Sequence, residues 1–473
     1  MVKIVVGDIE EGTDLLVIGA GPGGYTAAIR AAQNGKEVVL VDKEEVGGIC
    51  LNHGCIPAKS LIHAAGFQED IQHWEEIGIH TDNLEVDFEK IQEWKNSVVK
   101  RLDNGIKSRL SKHGVEFKNG KAFFQDSNTA RIEMEHNAET VKFDNAIIAT
   151  GSKPIEIPGL EFDKKKIISS RELLELDEVP DEIVVVGGGY IGMEAVTKFC
   201  KFGSKVKVVE ATENVLPGFD QELVDRIQEV SECYNDEIYT ETEAKKVKYK
   251  DNKAILVAEK EDKEIEIAGD YILVAAGRTA KPALEELELD NTDVEIEDDF
   301  ITVDDQLKTD DENIYAIGDA AGQPMLAHKA YREGKVAANV ISGENDAMDN
   351  QYIPKVIYTD PEIAVAGMTP DEARERYRSN IKIGKFPFSA SGRALTTNQE
   401  DGFIKVVAEE NGKILGVQIL GPRASDMIAE ATLALEMQAY LEDITRTIHA
   451  HPTFPEAFAE ACEDAKNESV HVS

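Results

Sequence analysis

Asp14-Leu15-Leu16-Val17-Ile18-Gly19-Ala20-Gly21-Pro22-Gly23-Gly24 sets the reading of the whole chain. Leu15 to Ile18 form a short apolar run, suited to a strand buried on both faces. The glycine turn follows, and Tyr25-Thr26-Ala27-Ala28-Ile29-Arg30-Ala31-Ala32 reads as a helix. Glu37 to Val41 read as a second strand, which ends at Asp42. A lone G-x-G-x-x-G says little. Between a strand and a helix, with an acid closing the next strand, it predicts a dinucleotide-binding unit. Gly19 permits the tight turn, Gly21 lets a pyrophosphate approach the backbone, and Gly24 lets the helix pack on the strand. Asp42 is placed to accept from ribose hydroxyls.

The pattern recurs. Ile183-Val184-Val185-Val186 leads into Gly187-Gly188-Gly189-Tyr190-Ile191-Gly192, a helix-like run, and Val206-Lys207-Val208-Val209-Glu210. Eighteen positions separate Gly24 from Asp42, and eighteen again separate Gly192 from Glu210. Two matched units predict an α/β fold with two Rossmann-like dinucleotide-binding domains and two dinucleotide sites. Glu210 bears on the second ligand. A carboxylate suits a free ribose 2′-OH, whereas a 2′-phosphate needs Arg or Lys, so NAD is favoured over NADP.

Three further strands end in turns: Asn145 to Gly151, Tyr271 to Arg278, and Asn313 to Asp319. An aspartate at the C-terminal end of such a strand suits a ligand contact; capping of the following helix is the plainer alternative for Asp319. The segment Lys165 to Asp181 is mixed polar and reads as domain surface.

Just downstream of the first glycine loop stands Gly47-Gly48-Ile49-Cys50-Leu51-Asn52-His53-Gly54-Cys55-Ile56-Pro57-Ala58-Lys59. A disulfide within reach of a bound dinucleotide is a two-electron relay. On a regular helix, residues five apart point roughly 140° away from each other. Cys50 and Cys55 can therefore close a disulfide only across an irregular turn, and Asn52, His53 and Gly54 supply a break. Pro57 suits a first helical turn. Cys55 would then lie at a helix N-terminus, where the dipole favours a thiolate, with Lys59 four residues on along the same face. A structural disulfide is the plainer alternative.

At 473 residues the chain exceeds one core, and two to four domains are expected. Its net charge of −39 should repel nucleic acid and anionic membranes. So self-repelling a surface is best tolerated where salt screens it, which suggests a halophilic setting. No apolar run reaches 18 residues, so no membrane span is expected. The N-terminus has no signal-peptide pattern, which points to the cytoplasm, where a persistent disulfide is more often catalytic than structural. Cys200, Cys233 and Cys462 lack metal-ligand spacing and read as small buried hydrophobes.

From about Asn350 the character changes. Strand-like Phe403 to Val407 and Ile414 to Leu420 precede a helical stretch, Ser425 to Met437, with no nucleotide motif. Near the end stands His449-Ala450-His451-Pro452-Thr453-Phe454-Pro455-Glu456. His451 with Glu456 could form an imidazole–carboxylate pair for proton transfer. On its residues alone His451 fits a helix-start or interface histidine equally well. His449 and His451 have no evident third metal ligand, and no metal is expected.

In this order the pieces resemble the flavoprotein pyridine-nucleotide disulfide oxidoreductases, over essentially the whole chain. The likeness rests on Gly47 to Lys59, on Thr309 to Asp319 and on His449 to Glu456. It implies FAD on the first loop, with Asp42 at the adenosine ribose, Asp319 near the ribityl and pyrophosphate, and Lys59, Ala122, Thr150, Gly151 and Ala327 bordering the cofactor. It implies NAD on the second, with Gly187, Gly189, Gly192, Glu210, Val247 and Gly277 around it and Tyr190 over the nicotinamide pocket. Cys55 would be the flavin-side thiol, Cys50 the interchange thiol, and Lys59 would pair with Glu194. His451, oriented by Glu456, would be the acid/base of the partner subunit's site. The tail would then be an α+β dimerisation domain and the protein a homodimer. Ile49, His53, Ala58 and Asp42 depart from the commoner residues of the family (Thr, an apolar residue, Ser and Glu). None removes a group the relay needs.

The implied boundaries are 1–150 for the FAD-binding domain, 151–276 for the NAD-binding domain, 277–348 for a segment completing the first, and 349–473 for the dimer interface. The implied reaction oxidises a dihydrolipoyl group, carried by a protein or by a 2-oxoacid dehydrogenase or glycine cleavage complex, and reduces NAD. The alternatives are a disulfide reductase acting on a low-molecular-weight thiol such as glutathione, and a non-catalytic FAD-binding structural subunit.

Overall fold

The computed structural model describes residues 10–73, 77–80, 85–230 and 237–472. The first glycine loop leaves a sheet whose parallel part runs, in spatial order, through Glu116–Asn119, Val38–Asp42, Glu10–Ile18, Ala138–Ile148 and Ile314–Ala316. Leu15, Leu16 and Val17 are wholly buried, as a strand covered on both faces requires. Beyond Glu10–Ile18, Ala138–Ile148 shares its other edge between two neighbours. Its last residues pair with Ile314–Ala316, and its earlier ones with the hairpin of Lys121–Asp126 and Thr129–Glu133. Helices Pro22–Gln33 and Ala327–Ile341 cover one face, where Gly334 lets them approach closely: a Cβ there would lie 2.5 Å from the carbonyl of Gly23.

The second sheet repeats the plan. Ile238–Tyr239, Lys205–Val209, Glu182–Val186, Tyr271–Val274 and Ile167–Ile168 run parallel, and helix Tyr190–Lys201 packs its apolar face on them. An antiparallel meander, Glu243–Lys250, Lys253–Lys260 and Lys263–Gly269, covers the other side. Ile167–Ile168 and helix Ser170–Leu174 correct the reading of Lys165 to Asp181 as surface, since Ile168, Leu173 and Leu174 are buried.

The tail is a five-stranded antiparallel sheet in the order Lys355–Ile357, Glu362–Gly367, Ile414–Gly421, Phe403–Glu409, Ile381–Pro387. Helices Ala424–Glu436 and Glu456–Ala465 pack against it around Phe388, Ile404 and Leu435. Leu433, Met437 and Ile448 are exposed, Ile448 at 97%. Among the described residues no helix is long and apolar enough to cross a membrane.

Candidate active site

The two glycine loops are built alike. Gly19 and Gly187 take φ of +105° and +106°, in the left-handed region open to glycine. A Cβ on Gly24 would lie 1.8 Å from the Gly19 carbonyl oxygen, and one on Gly192 would lie 2.0 Å from that of Gly187. The closing acids match as well. The Ala20 N–H donates to Asp42 Oδ2 at 2.6 Å and the Glu44 N–H to Oδ1 at 2.8 Å. The Gly188 N–H donates to Glu210 Oε2 at 2.6 Å, and the Thr212 N–H and hydroxyl to Oε1 at 2.8 Å. In each copy the carboxylate binds the middle of its loop and the residue two positions beyond itself. Burial pushes the Asp42 carboxyl up, and the two amides oppose that shift.

A cavity of about 870 Å³ is lined by Gly21 and Asp319 together with Cys50, Cys55 and Lys59. That is within the range of cofactor clefts. A smaller pocket of about 70 Å³ joins Gly19, Asp42 and Ala122. Thr150, Gly151, Tyr190, Glu194 and Ala327 also line the large cavity. Thr150 Oγ1 and Asn52 Oδ1, of residues that line it, are buried without a hydrogen-bond partner among the described residues. Buried polar atoms of this kind call for a ligand or water. Gly48 packs its backbone directly on the first loop, since a Cβ there would come within 2.6 Å of Gly21 Cα. The residues fit a bound dinucleotide.

At the thiols the expected break is present. A short helix, Gly48–Asn52, ends at His53, and a long one starts at Cys55 and runs to His73. Cys50 and Cys55 are both thiols, hydrogen-bonded to each other, so the structure holds the dithiol form of the pair. That hydrogen bond lowers the Cys55 thiol to about 7; burial opposes the shift and Lys59 assists it. The same bond pushes Cys50 well up, with burial adding to it. The dominant cause is thus the neighbouring thiol, ahead of the lysine that the sequence pointed to. Of the two, Cys55 is the more readily ionised and Cys50 the one favoured to keep its proton. Lys59 Nζ donates to both oxygens of Glu194 at 2.8 and 2.9 Å. Burial disfavours the Lys59 ammonium, but Glu194 outweighs it and holds its pKa above the ordinary value.

His451 lies elsewhere. Its Nδ1 is 2.8 Å from Glu456 Oε1, and the Thr453 N–H donates to Oε2 at 2.6 Å. The imidazole is 78% exposed and does not line the thiol cavity. His449 is held separately, by Glu430 and the Thr447 carbonyl.

Two expectations need correction. Val247 pairs with Leu256 and packs into the apolar core of the meander, and the backbone beside Glu210 is that of Thr242, whose N–H donates to the Glu210 carbonyl. Cys200 is half-buried and disulfide-bonded rather than a lone hydrophobe, because it sits on the last turn of its helix, outside the packed face. Cys462 is buried and free as expected, and Cys233 lies outside the described residues. The sequence reading missed Ser152, Arg278 and Lys198. Arg278 donates to the Ser152 hydroxyl at 2.8 Å, and Ser152 donates to Asp319. A charged residue directly after the Gly277 turn was the available signal.

The family description pyridine nucleotide-disulphide oxidoreductase matches residues 13–334, and the dimerisation domain of the same family matches 353–462. The chain belongs to the pyridine nucleotide-disulphide oxidoreductase family. Within the family it is 46% identical to the dihydrolipoyl dehydrogenase of Haloferax volcanii and 44% identical to that of Bacillus subtilis. Each match covers 99% of this chain, with 99% and 100% of the relative. Among solved structures of the fold, LpdA from Mycobacterium tuberculosis superposes with a TM-score of 0.88 at 23% identity, covering 95% of this chain and 99% of that one. An HOCl-induced flavoprotein disulfide reductase from Escherichia coli reaches 0.85 at 26% identity, with the same coverage.

Proposed function

We propose that this family member is a dihydrolipoyl dehydrogenase, which takes two electrons from a dihydrolipoyl group on a carrier protein and delivers them to NAD. The observation that carries the reading is the Cys50–Cys55 pair in the wall of the same cavity that the first glycine loop lines. The relatives' shared name supports the substrate.

FAD fits the large cavity and NAD the second loop. Gly19, Gly21 and Gly24 would hold the FAD pyrophosphate; Asp42, Ala122, Thr150, Gly151, Asp319 and Ala327 would border the rest. Gly187, Gly189, Gly192, Tyr190, Glu210 and Gly277 would serve NAD. When bound, FAD links the two-electron chemistry of thiols to that of a nicotinamide. The residues of the chain do the remainder. A substrate thiolate attacks Cys50 of the Cys50–Cys55 disulfide and expels Cys55, the better leaving thiolate of the two; the substrate's second thiol then attacks the mixed disulfide, closing the substrate disulfide and releasing Cys50 as thiol. Lys59, neutralised by Glu194, holds charge beside Cys55. His451 takes the substrate thiol's proton at Nε2, while Glu456 fixes Nδ1.

An exposed His451 away from its own thiols suits a site shared between two subunits. The family's dimerisation domain and the exposed Leu433, Met437 and Ile448 support a homodimer built through 349–473. The division into 1–150, 151–276, 277–348 and 349–473 belongs to the same proposal. The net charge of −39 supports work at high salt, and a cytoplasmic setting belongs to the same proposal. The test is NAD reduction by purified protein with dihydrolipoamide, reduced glutathione or buffer, in low and high KCl. Activity with dihydrolipoamide alone is the expected result, and equal rates with glutathione would refute the substrate.

A further inference from the structure

Lys198 is a lysine in an unusual place. It is 4% exposed and sits on helix Tyr190–Lys201 among buried Met193, Ala195, Val196 and Phe199. It lines the large cavity, one helical turn beyond Glu194. Among the described residues it makes no ion pair, because Glu194 gives both its oxygens to Lys59. Lysines are almost never fully buried unless paired, since desolvating an unbalanced ammonium is costly. The charges here therefore do not cancel. Lys59 and Glu194 neutralise each other, and Lys198 is left as a cation facing the cavity.

Something negative in the cavity would balance it. Cys55 is served by Cys50 and Lys59. Lys198 lies beside the Lys59–Glu194 pair, and the same pair acts on Cys55, so Lys198 stands with the thiols. What lies there is the reacting ring of the cofactor, since a relay needs that ring beside Cys55.

We propose that Lys198 is a charge-setting residue for the bound flavin: its ammonium stabilises the negative charge that the ring holds after gaining two electrons and one proton, and so raises the flavin's potential. This rests on the FAD reading above. The balance is simple. Closing the dithiol to a disulfide releases two electrons and two protons. The ring takes both electrons and one proton, the other proton leaves the site, and Lys198 keeps its own protons throughout. Burial draws Lys198 down to about 8, with Glu194 supporting the charge and Lys59 opposing it. The ammonium therefore prevails at neutral pH.

The test uses the full chain with Cys50→Ser and Cys55→Ser, so that only the flavin titrates. The protein is reduced slowly without oxygen beside a reference dye, and both absorbances are read. Lys198→Met should lower the reduced-to-oxidised flavin ratio at a given dye ratio by tenfold or more, about 30 mV for a two-electron couple. Lys198→Arg should stay within threefold of the parent. Sulfite, which adds to the oxidised ring and leaves it negative, should bind Lys198→Met at least tenfold more weakly. A parent protein that holds no FAD sinks the functional reading itself. FAD held by both parent and Lys198→Met, with ratios within threefold, overturns only the role of Lys198. Lys198→Gln is run in parallel. If neither neutral variant holds FAD, the residue serves cofactor uptake and the proposal is overturned.

Discussion

His451 Nδ1 lies 2.8 Å from Glu456 Oε1, while the same imidazole is 78% exposed and stands apart from the thiols of its own chain. A histidine so oriented and so exposed has its Nε2 free for a substrate bound elsewhere. His451→Gln should lower dithiol turnover by about 10²–10⁴-fold, the usual range for a general acid–base. Transfer from NADH to a flavin-accepting dye should persist. A heterodimer of one Cys50→Ser chain and one His451→Gln chain has one complete site if sites are shared, and should recover activity that both homodimers lack. Isolated heterodimers as inactive as their parents would show that each tail serves its own chain.

Glu210 should set the choice of nicotinamide. Both of its oxygens are tied to the loop and to Thr212, so a 2′-phosphate would meet a fixed negative charge. Glu210→Arg should weaken NAD use and improve NADP use. The ratio of the two kcat/KM values is the measurement, and an unchanged ratio refutes the ribose role.

Cys55 should behave as a thiolate above about pH 7. Its pKa is depressed from the usual thiol value, so the charged form is present above 7 and lost as pH falls through it. On two-electron anaerobic reduction, a long-wavelength absorbance from this thiolate against the flavin should grow as pH rises through about 7. Cys55→Ser should abolish the band with FAD still bound. Lys59→Met should move the midpoint upward, because a favourable charge is removed.

Gly192→Ala tests the second loop. The added methyl would lie 2.0 Å from the Gly187 carbonyl, far inside contact distance, so the helix must lift from the strand. NAD affinity should fall by tenfold or more, with FAD still bound. Alanine at Gly203, where a Cβ would meet nothing within 4 Å but φ is +101°, should cost stability without changing NAD affinity.

Salt should stabilise the protein. Going from 0.1 M to 1 M KCl shortens the screening length from about 10 Å to about 3 Å, which weakens repulsion across a surface of net charge −39. Thermal unfolding should shift to higher temperature along that series. An unchanged Tm would count against adaptation to salt.

Both nucleotide loops were legible in the sequence because their geometry is local. A tight glycine turn and an acid eighteen residues on are fixed by one strand, one turn and one helix. The Lys59–Glu194 pair was reachable only through family likeness, since no local rule brings those two helices together. Arg278 left a signal, a charge directly after the Gly277 turn, but its link through Ser152 to Asp319 was not legible. It matters because chain segments remote in sequence meet, with Arg278 bonded to Ser152 and Ser152 to Asp319. Lys198 was hidden for a different reason. Four residues after Glu194, it reads as the partner of a solvent-facing helical ion pair, whereas tertiary packing turns that face inward.

The pairing of Ile314–Ala316 with Ala138–Ile148 bears on the order of assembly during synthesis. Every described strand of the second sheet has left the ribosome once Val274 has emerged. At that moment the first sheet, begun at Glu10, still has an open edge along Ala146 to Ile148. An unpaired apolar edge is a template for wrong partners. The younger sheet can therefore close before the older one, and the nascent chain is most exposed to misassembly while residues 275–313 are being made.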